Sequence, residues 1–524
     1  MNYIDENISL GEIYFNSLKK NSQKTLLYIS DTDETLTYSE VLTLSVRTAL
    51  ALKQRGIGRN DIISTCTYNQ KYNCLPVIAS LYLGAINANF DPILSHLDTV
   101  HLLRQMAPKI LFVVEEALEF MERCLKESGI ETVLVVFGES DKYQRFSEFI
   151  TPHPDEMAFR PATIDHEETA LILFSSGTTG LPKGICLSHR SLKNGGPNFC
   201  PMNITNKNPT VSLIFTSFYW ISMNLFFYNS VINGYALVLC KKFNPQDAWR
   251  IFKKYKVTFT FLAPYNAAEC LNNKPVDGDC STVEVLFTGS CPVNEKLMSD
   301  LSNTFHNAKI LNIYGQTESG SAISSFDPFN DEEYALQLKH PLSCGKVKKF
   351  IQWKIVDLNT EETLGPNKEG ELRIKSNYLM NGYYKLDCSS SFDTNGYLKT
   401  GDVAYYDENN CLYVVDRIKE MFKYKGWHII PAVIEDVLNA HPAVKDAVVI
   451  GVPCKNVNDG LEPMGIVTLR EQYGNIDLND IVIYVNGRVS ETQKLRAGIK
   501  VYNDIPKTAT AKPKRRELRQ LLGY

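Results

Sequence analysis

An apolar run, Leu171-Ile172-Leu173-Phe174, opens into Ser175-Ser176-Gly177-Thr178-Thr179-Gly180-Leu181-Pro182-Lys183-Gly184. A loop of this makeup can wrap a polyphosphate. Glycines let backbone N–H groups approach the anion, serine and threonine hydroxyls donate further hydrogen bonds, and Lys183 adds a mobile positive charge. It is not a Walker loop, which needs Gly-Lys-Ser/Thr; Lys183 follows Pro182 and precedes Gly184. A ligand-free Ser/Gly turn has the same composition, so the loop alone leaves both readings open.

Further segments follow in order: Tyr314-Gly315-Gln316-Thr317-Glu318, Thr400-Gly401-Asp402, Val415-Asp416-Arg417, Lys423-Tyr424-Lys425-Gly426, and Pro506-Lys507-Thr508 leading to Lys512. With the loop at 175–184 they resemble the adenylate-forming superfamily, which includes acyl-CoA synthetases, 4-coumarate-CoA ligases, firefly luciferases and the adenylation domains of peptide synthetases. The likeness runs from about residue 35 onward and is greatest to insect luciferase-like acyl-CoA ligases.

The resemblance implies a two-step reaction. A carboxylate attacks the α-phosphate of ATP, magnesium pyrophosphate leaves, and a thiol, commonly that of coenzyme A, attacks the acyl-adenylate. Ser175, Ser176, Gly177, Thr178, Thr179, Gly180 and Lys183 would cradle the phosphates. Gly289, Ser290 and Cys291 would face the adenine, and Tyr314 would stack on it with Gly315 and Gln316 alongside. Thr317 would face the α-phosphate, and Glu318 would help hold Mg2+, a cation that prefers hard oxygen ligands. Asp402 would accept hydrogen bonds from the ribose, as an ionised carboxylate can, and Arg417 would contact ribose or phosphate. Lys512 would bridge the attacking carboxylate and the α-phosphate, stabilising charge where it develops. Lys419 would lie at an interdomain hinge. Lys423 would take the place of Lys512 for the thiol step, with Lys425 and Gly426 beside the pantetheine passage, where a residue without a side chain leaves room. Tyr219, Trp220 and Phe226 would line the acyl pocket. Without the resemblance, Lys512-Pro513-Lys514-Arg515-Arg516 also reads as the basic face of a terminal helix.

Three positions depart from the family pattern. Ala511 precedes the terminal lysine where glycine is usual, Ser290 stands at the second glycine of a Gly-Gly pair, and Trp220 stands where luciferases and many ligases have histidine. An indole cannot accept a hydrogen bond or carry a proton as imidazole does. Trp220 with its aromatic neighbours therefore suggests a tight apolar pocket for a medium-chain or aromatic acid, unsuited to luciferin oxidation. Plain core packing of the same aromatics is the alternative.

These residues need a scaffold. At 524 residues the chain is long enough for three or four compact units at about 150 residues each. Helical and strand patterns alternate from 35 to 150, with a helix expected over Tyr38–Arg55 and strands at Asp61–Ser64, Ile110–Val114 and Val133–Phe137, the rhythm of a parallel α/β sheet. Short alternating strands after Lys346, such as Glu371–Ile374 and Gly396–Lys399, predict a small β-rich part. From Val433 a helix and strands at Ala447–Ile450 and Gly465–Leu469 predict an α+β domain. The expected class is α/β: a large N-terminal domain, 1–416, of two α/β subdomains plus a small β-barrel-like subdomain, then a smaller mobile C-terminal α+β domain, 417–524. No repeat of fixed period is present.

Composition excludes several classes. Hydrophobic residues make up 44% and charged residues 22%, the makeup of a folded globular chain. A net charge of -4 gives no global attraction to nucleic acid. Residues 208–240 carry no charge, a length that could cross a bilayer, but Ser212, Asn224, Asn229 and Asn233 interrupt it, so buried core or pocket wall is expected rather than a transmembrane segment. The 13 scattered cysteines read as reduced thiols. No secretory signal is visible, and Leu522-Gly523-Tyr524 is not a Ser-Lys-Leu address, so a soluble cytoplasmic protein is expected, with a peroxisomal one as the alternative. The leading function is an ATP-dependent carboxylate-CoA ligase. Its rivals are a luciferase-like adenylating monooxygenase and a catalytically impaired acyl or nucleotide binder.

Overall fold

The computed structural model describes residues 8–174, 181–199, 210–424, 427–454, 460–473, 476–507 and 512–524. Local signals set the first elements. The helix Tyr38–Gln54 starts with Thr37 and Glu40 in a reciprocal capping box and buries Val41, Ala49 and Leu52 on one side. Gly56, at φ 72°, then turns the chain toward the strand Ile62–Cys66.

Two eight-stranded sheets form the large part of the molecule. The first has the order Ser321–Ser324, Lys309–Gln316, Val285–Gly289, Phe259–Leu262, Val211–Ile214, Ala236–Leu239, Thr25–Ile29, Glu34–Thr37. Its pairs are parallel except at the two edges. The second has the order Gly382–Tyr383, Gly184–Ser188, Thr169–Phe174, Ile86–Asn87, Ile62–Cys66, Ile110–Val114, Val133–Phe137, Gln144–Arg145, parallel from Thr169–Phe174 onward. Strands buried on both faces explain the unbroken runs Ile110–Val114 and Leu171–Phe174.

The charge-free stretch is core and cavity wall. It supplies the strands Val211–Ile214 and Ala236–Leu239 and the helix Ile221–Asn233, with Met223, Phe227 and Val231 buried. Its polar groups find internal partners. Asn224 Nδ2 donates to the carbonyls of Phe218 and Trp220, and Ser212 Oγ donates to that of Ala236. Among the described residues no helix is long and apolar enough to cross a membrane.

The β-rich part is a five-stranded antiparallel sheet, Thr363–Leu364, Gln352–Val356, Gly370–Lys375, Leu398–Tyr406, Leu412–Arg417. After it come the paired strands Phe422–Tyr424 and Trp427–Ile429, the helix Pro431–Asn439 and a three-stranded sheet of Val444–Pro453, Leu461–Leu469 and Ile499–Val501. This region packs around cores of its own, one with Ile434, Leu438, Val449 and Ile481, the other with Val448, Ile450, Ile466 and Leu518. Its last helix, Arg515–Leu521, begins just after Lys512 and docks through Arg515, whose Nε donates to the Val449 carbonyl of the strand Val444–Pro453 at 3.4 Å and whose guanidinium bonds both oxygens of Glu435, on the helix Pro431–Asn439, at 2.6 and 2.8 Å.

Candidate active site

The parallel strands of the first sheet end side by side, and the residues just beyond them line one cavity of about 710 Å³. Thr317 and Glu318 follow Lys309–Gln316, Ser290 follows Val285–Gly289, Ala263 follows Phe259–Leu262, and Phe215, Thr216 and Ser217 follow Val211–Ile214. Tyr68, Asn69 and Asp91 reach the same space from strand ends of the second sheet. Ligands of open α/β sheets bind at such carboxyl edges.

Of the residues expected at the site, Lys183, Trp220, Ser290, Gly315, Gln316, Thr317, Glu318, Arg417, Lys419 and Lys512 line this cavity. Ser175 to Gly180, Lys425, Gly426 and Ala511 lie outside the described residues. Lys423 is exposed on the strand Phe422–Tyr424 and does not line the cavity. Cys291 is not on the lining either, yet its thiol senses Lys512: burial pushes the thiol's pKa up and the ammonium opposes this.

Two aromatic assignments need correction. Phe226 is 1% exposed and stacks on Phe259 with ring centroids 4.8 Å apart, inside the core. On the helix Ile221–Asn233 the cavity side carries Ile221, Ser222 and Leu225, and one further step of about 100° turns Phe226 away. Tyr219 is packed between Phe174 and Trp220, at centroid distances of 5.8 and 5.0 Å, and braces the indole from behind. Trp220 alone of the three lines the cavity.

Asp402 is the centre of a buried polar cluster. Its side chain is 3% exposed, and its oxygens take the Tyr314 hydroxyl at 2.5 Å, the Gln316 amide at 2.5 Å and Arg417 Nε at 3.0 Å. Gln316 Nε2 also donates to the carbonyl of Thr400 at 2.8 Å. Burial, followed by Asp402, raises the Tyr314 phenol well above its ordinary range, so it stays a donor. Three donors occupy three of the roughly four acceptor sites of the Asp402 carboxylate, and Tyr314 is tied to it through its hydroxyl. Neither residue is on the cavity lining. What they position is the strand end carrying Thr317 and the half-exposed Arg417.

Tyr383, which no motif singled out, lines the cavity between two expected residues. Lys183 Nζ lies 5.3 Å from its ring centroid, and its hydroxyl donates to Glu318 Oε1 at 3.4 Å. Burial, then Glu318, pushes this phenol to about 12. Lys512 enters from the C-terminal region. Burial, and next the Arg417 guanidinium, hold its ammonium below the usual lysine range, while Cys291, Asp402 and Glu318 pull the other way. Lys507, earlier in the chain, has its Nζ 4.2 Å from the Tyr265 ring and pairs with Asp446. Crowding of Lys512 with Arg417 is an arrangement that an anion would relieve. For Mg2+ the described residues offer Glu318 and no cluster of three or more candidate ligands. One carboxylate suits a Mg2+ whose other ligands are phosphate oxygens and water.

The strand end at Gly289 is sterically tight. A Cβ there would meet the Ile313 carbonyl oxygen at 2.2 Å, so only glycine fits. Ser290 follows at φ 77°, in the left-handed region that favours glycine. Ser290→Gly is expected to stabilise the fold by roughly 0.5–1 kcal/mol, strain relief exceeding the added unfolded-state freedom. Paired thermal melts check this, and a lowered Tm would refute it.

A cavity on the carboxyl edge of a parallel sheet, a lysine from the C-terminal region and the hydroxyl- and glycine-rich sequence at 175–184 fit a nucleotide-using α/β enzyme. The family model for the AMP-binding enzyme matches residues 15–384, and that for the AMP-binding enzyme C-terminal domain matches 433–512. The chain belongs to this family of adenylate-forming enzymes. It is 30% identical to a luciferin 4-monooxygenase of Photinus pyralis over 503 residues, 93% of this chain and 89% of the other. It is 28% identical to 4-coumarate-CoA ligase 1 of Narcissus pseudonarcissus over 538 residues, 99% of this chain and 95% of the other. Among solved structures, the luciferase-like enzyme from the nonluminescent Zophobas morio mealworm matches with a TM-score of 0.74 and 38% identity, covering 79% of this chain and 96% of that one.

Proposed function

We propose that the protein is an ATP-dependent carboxylate-CoA ligase that forms an acyl-adenylate and then an acyl-CoA thioester from a fatty or aromatic acid. The observation that carries this reading is the single cavity in which Thr317, Glu318, Arg417 and Lys512 share walls with Trp220, Ile221, Leu225 and Phe261. One set of residues suits phosphate, the other an acyl group.

In this reading residues 1–416 bind ATP and acid, and 417–524 form a mobile domain that brings Lys512, and later Lys423, to the reacting atoms. Glu318 would hold Mg2+, which would supply positive charge beside the ATP phosphates, and ATP would supply the activated α-phosphorus. Lys512 holds the carboxylate against that phosphorus and balances the charge that grows there, aided by Arg417 and the Thr317 hydroxyl. Tyr383 orients Glu318, and Trp220 closes the acyl part. The described cysteines are all free thiols, which supports a reducing compartment such as the cytoplasm.

A second reading, an adenylating monooxygenase, is favoured by the luciferin 4-monooxygenase relatives. The indole of Trp220 cannot perform proton transfer as a histidine would. One experiment separates the readings: purified protein with ATP, Mg2+, CoA and a panel of acids, read by mass spectrometry for acyl-AMP and acyl-CoA, beside a luciferin light assay. Fast acyl-CoA formation from simple acids is expected. Light rivalling thioester formation would overturn the ligase reading, and absence of acid-dependent pyrophosphate release would point to a non-catalytic binder.

A further inference from the structure

Asp91 lines the cavity at 7% exposure and has no part in the steps above. It follows the short strand Ile86–Asn87 of the second sheet and reaches toward the first, where Ser217 Oγ donates to its Oδ2 at 2.8 Å. The backbone N–H of Ile93 donates to its Oδ1 at 3.2 Å. A carboxylate offers about four acceptor sites, so roughly two remain. Burial raises its pKa, against the opposing pull of Ser217, Ile93 and Lys242.

The neighbouring wall is polar too. Asn69 Nδ2 donates to the Thr216 carbonyl at 2.9 Å, the Thr216 and Ser222 hydroxyls meet at 2.9 Å, and Lys242 lies over the Tyr68 ring at 4.6 Å. All five residues line the same cavity. A wall meant only for an alkyl chain would gain nothing from a desolvated carboxylate with acceptor sites to spare, because burying it is costly. Position matters as well. The loop holding Ser217 follows the strand two places from the one that ends beside Ser290, and at about 4.8 Å per place Asp91's partner lies roughly 10 Å along the sheet edge.

We infer that Asp91 accepts a hydrogen bond from a hydroxyl or amino group on the acid, remote from its carboxylate, so that the preferred substrates are acids bearing such a donor rather than plain fatty acids. The inference rests on the acid-activating reading of this site. A ligand lacking the donor leaves the buried acceptor unpaired, and discrimination follows.

The test is acid-dependent pyrophosphate release with matched trios of unsubstituted, hydroxylated and amino-bearing acids, for the wild type, Asp91→Leu, Asp91→Asn and Ser217→Ala. In the wild type a donor-bearing acid is expected to exceed its parent by about tenfold or more in kcat/KM. In Asp91→Leu that ratio falls to near one. Asp91→Asn, whose amide oxygen still accepts, keeps a preference for hydroxyl but loses one for a cationic amine. Ser217→Ala removes the tie between the sheets yet leaves the carboxylate, so the ratio holds; a loss there matching that in Asp91→Leu would show a purely structural role and overturn the inference. Equal rates for each trio in the wild type would also overturn it. No turnover with any acid would overturn the ligase reading itself, a result distinct from turnover that ignores the donor.

Discussion

Lys512→Ala is expected to slow adenylation by about two to three orders of magnitude and leave ATP affinity nearly unchanged, because the contact it supplies belongs to charge that develops during transfer. The ammonium shares the cavity with Arg417 and Glu318, and burial and Arg417 hold its pKa below the usual lysine range. The working form is the charged one. The wild-type rate should therefore be full below that lowered pKa and decline as pH rises through it, at lower pH than an ordinary lysine would give. The variant should lack this limb. Single-turnover adenylation across pH, with ATP binding followed by calorimetry, measures both; an equal loss of ATP affinity would show that the lysine has another task.

Asp402→Ala should be the most destabilising single change at the site, by about 2–4 kcal/mol. It leaves the Tyr314 hydroxyl and the Gln316 amide buried without their acceptor and takes the partner from Arg417. Because the cluster positions the strand end that bears Thr317, adenylation should fall with stability. Asp402→Asn, keeping an oxygen for Tyr314 but losing the ion pair, should recover part of the stability. Denaturant unfolding of the pair checks this, and an alanine variant as stable as the wild type would refute the role given to the cluster.

Much of the scaffold was legible because it rests on local signals. The helix Tyr38–Gln54 has its cap and apolar spacing in the sequence, and Ile110–Val114 reads as a buried strand by its unbroken run of branched and aromatic apolar residues. Motifs also marked Lys183, Ser290, Gln316, Thr317, Glu318, Arg417 and Lys512 on the cavity, but not the polar group of Tyr68, Asn69, Thr216, Ser217 and Lys242. What they could not mark is direction. In the charge-free helix Ile221–Asn233 no polar stripe distinguishes Leu225, on the cavity, from Phe226, in the core. Tyr383 and Asp91 had no signal, since each joins the site through a strand end distant in sequence, and only the pairing of the sheets brings them in. Asp402 was found as an acceptor, but that its donors are Tyr314, Gln316 and Arg417 depends on register across two sheets.

Thr216 to Trp220 and Asp91 hang beyond the ends of their strands, so the ladder bonds that hold the sheets do not pass through their side chains. Thr216 and Trp220 can be exchanged with little effect on the sheets, whereas Phe218 and Tyr219, 3% and 4% exposed, are held in the core. Selectivity can thus drift from one acid to another over evolutionary time at small cost in folding, while the tight junction at Gly289 stays fixed.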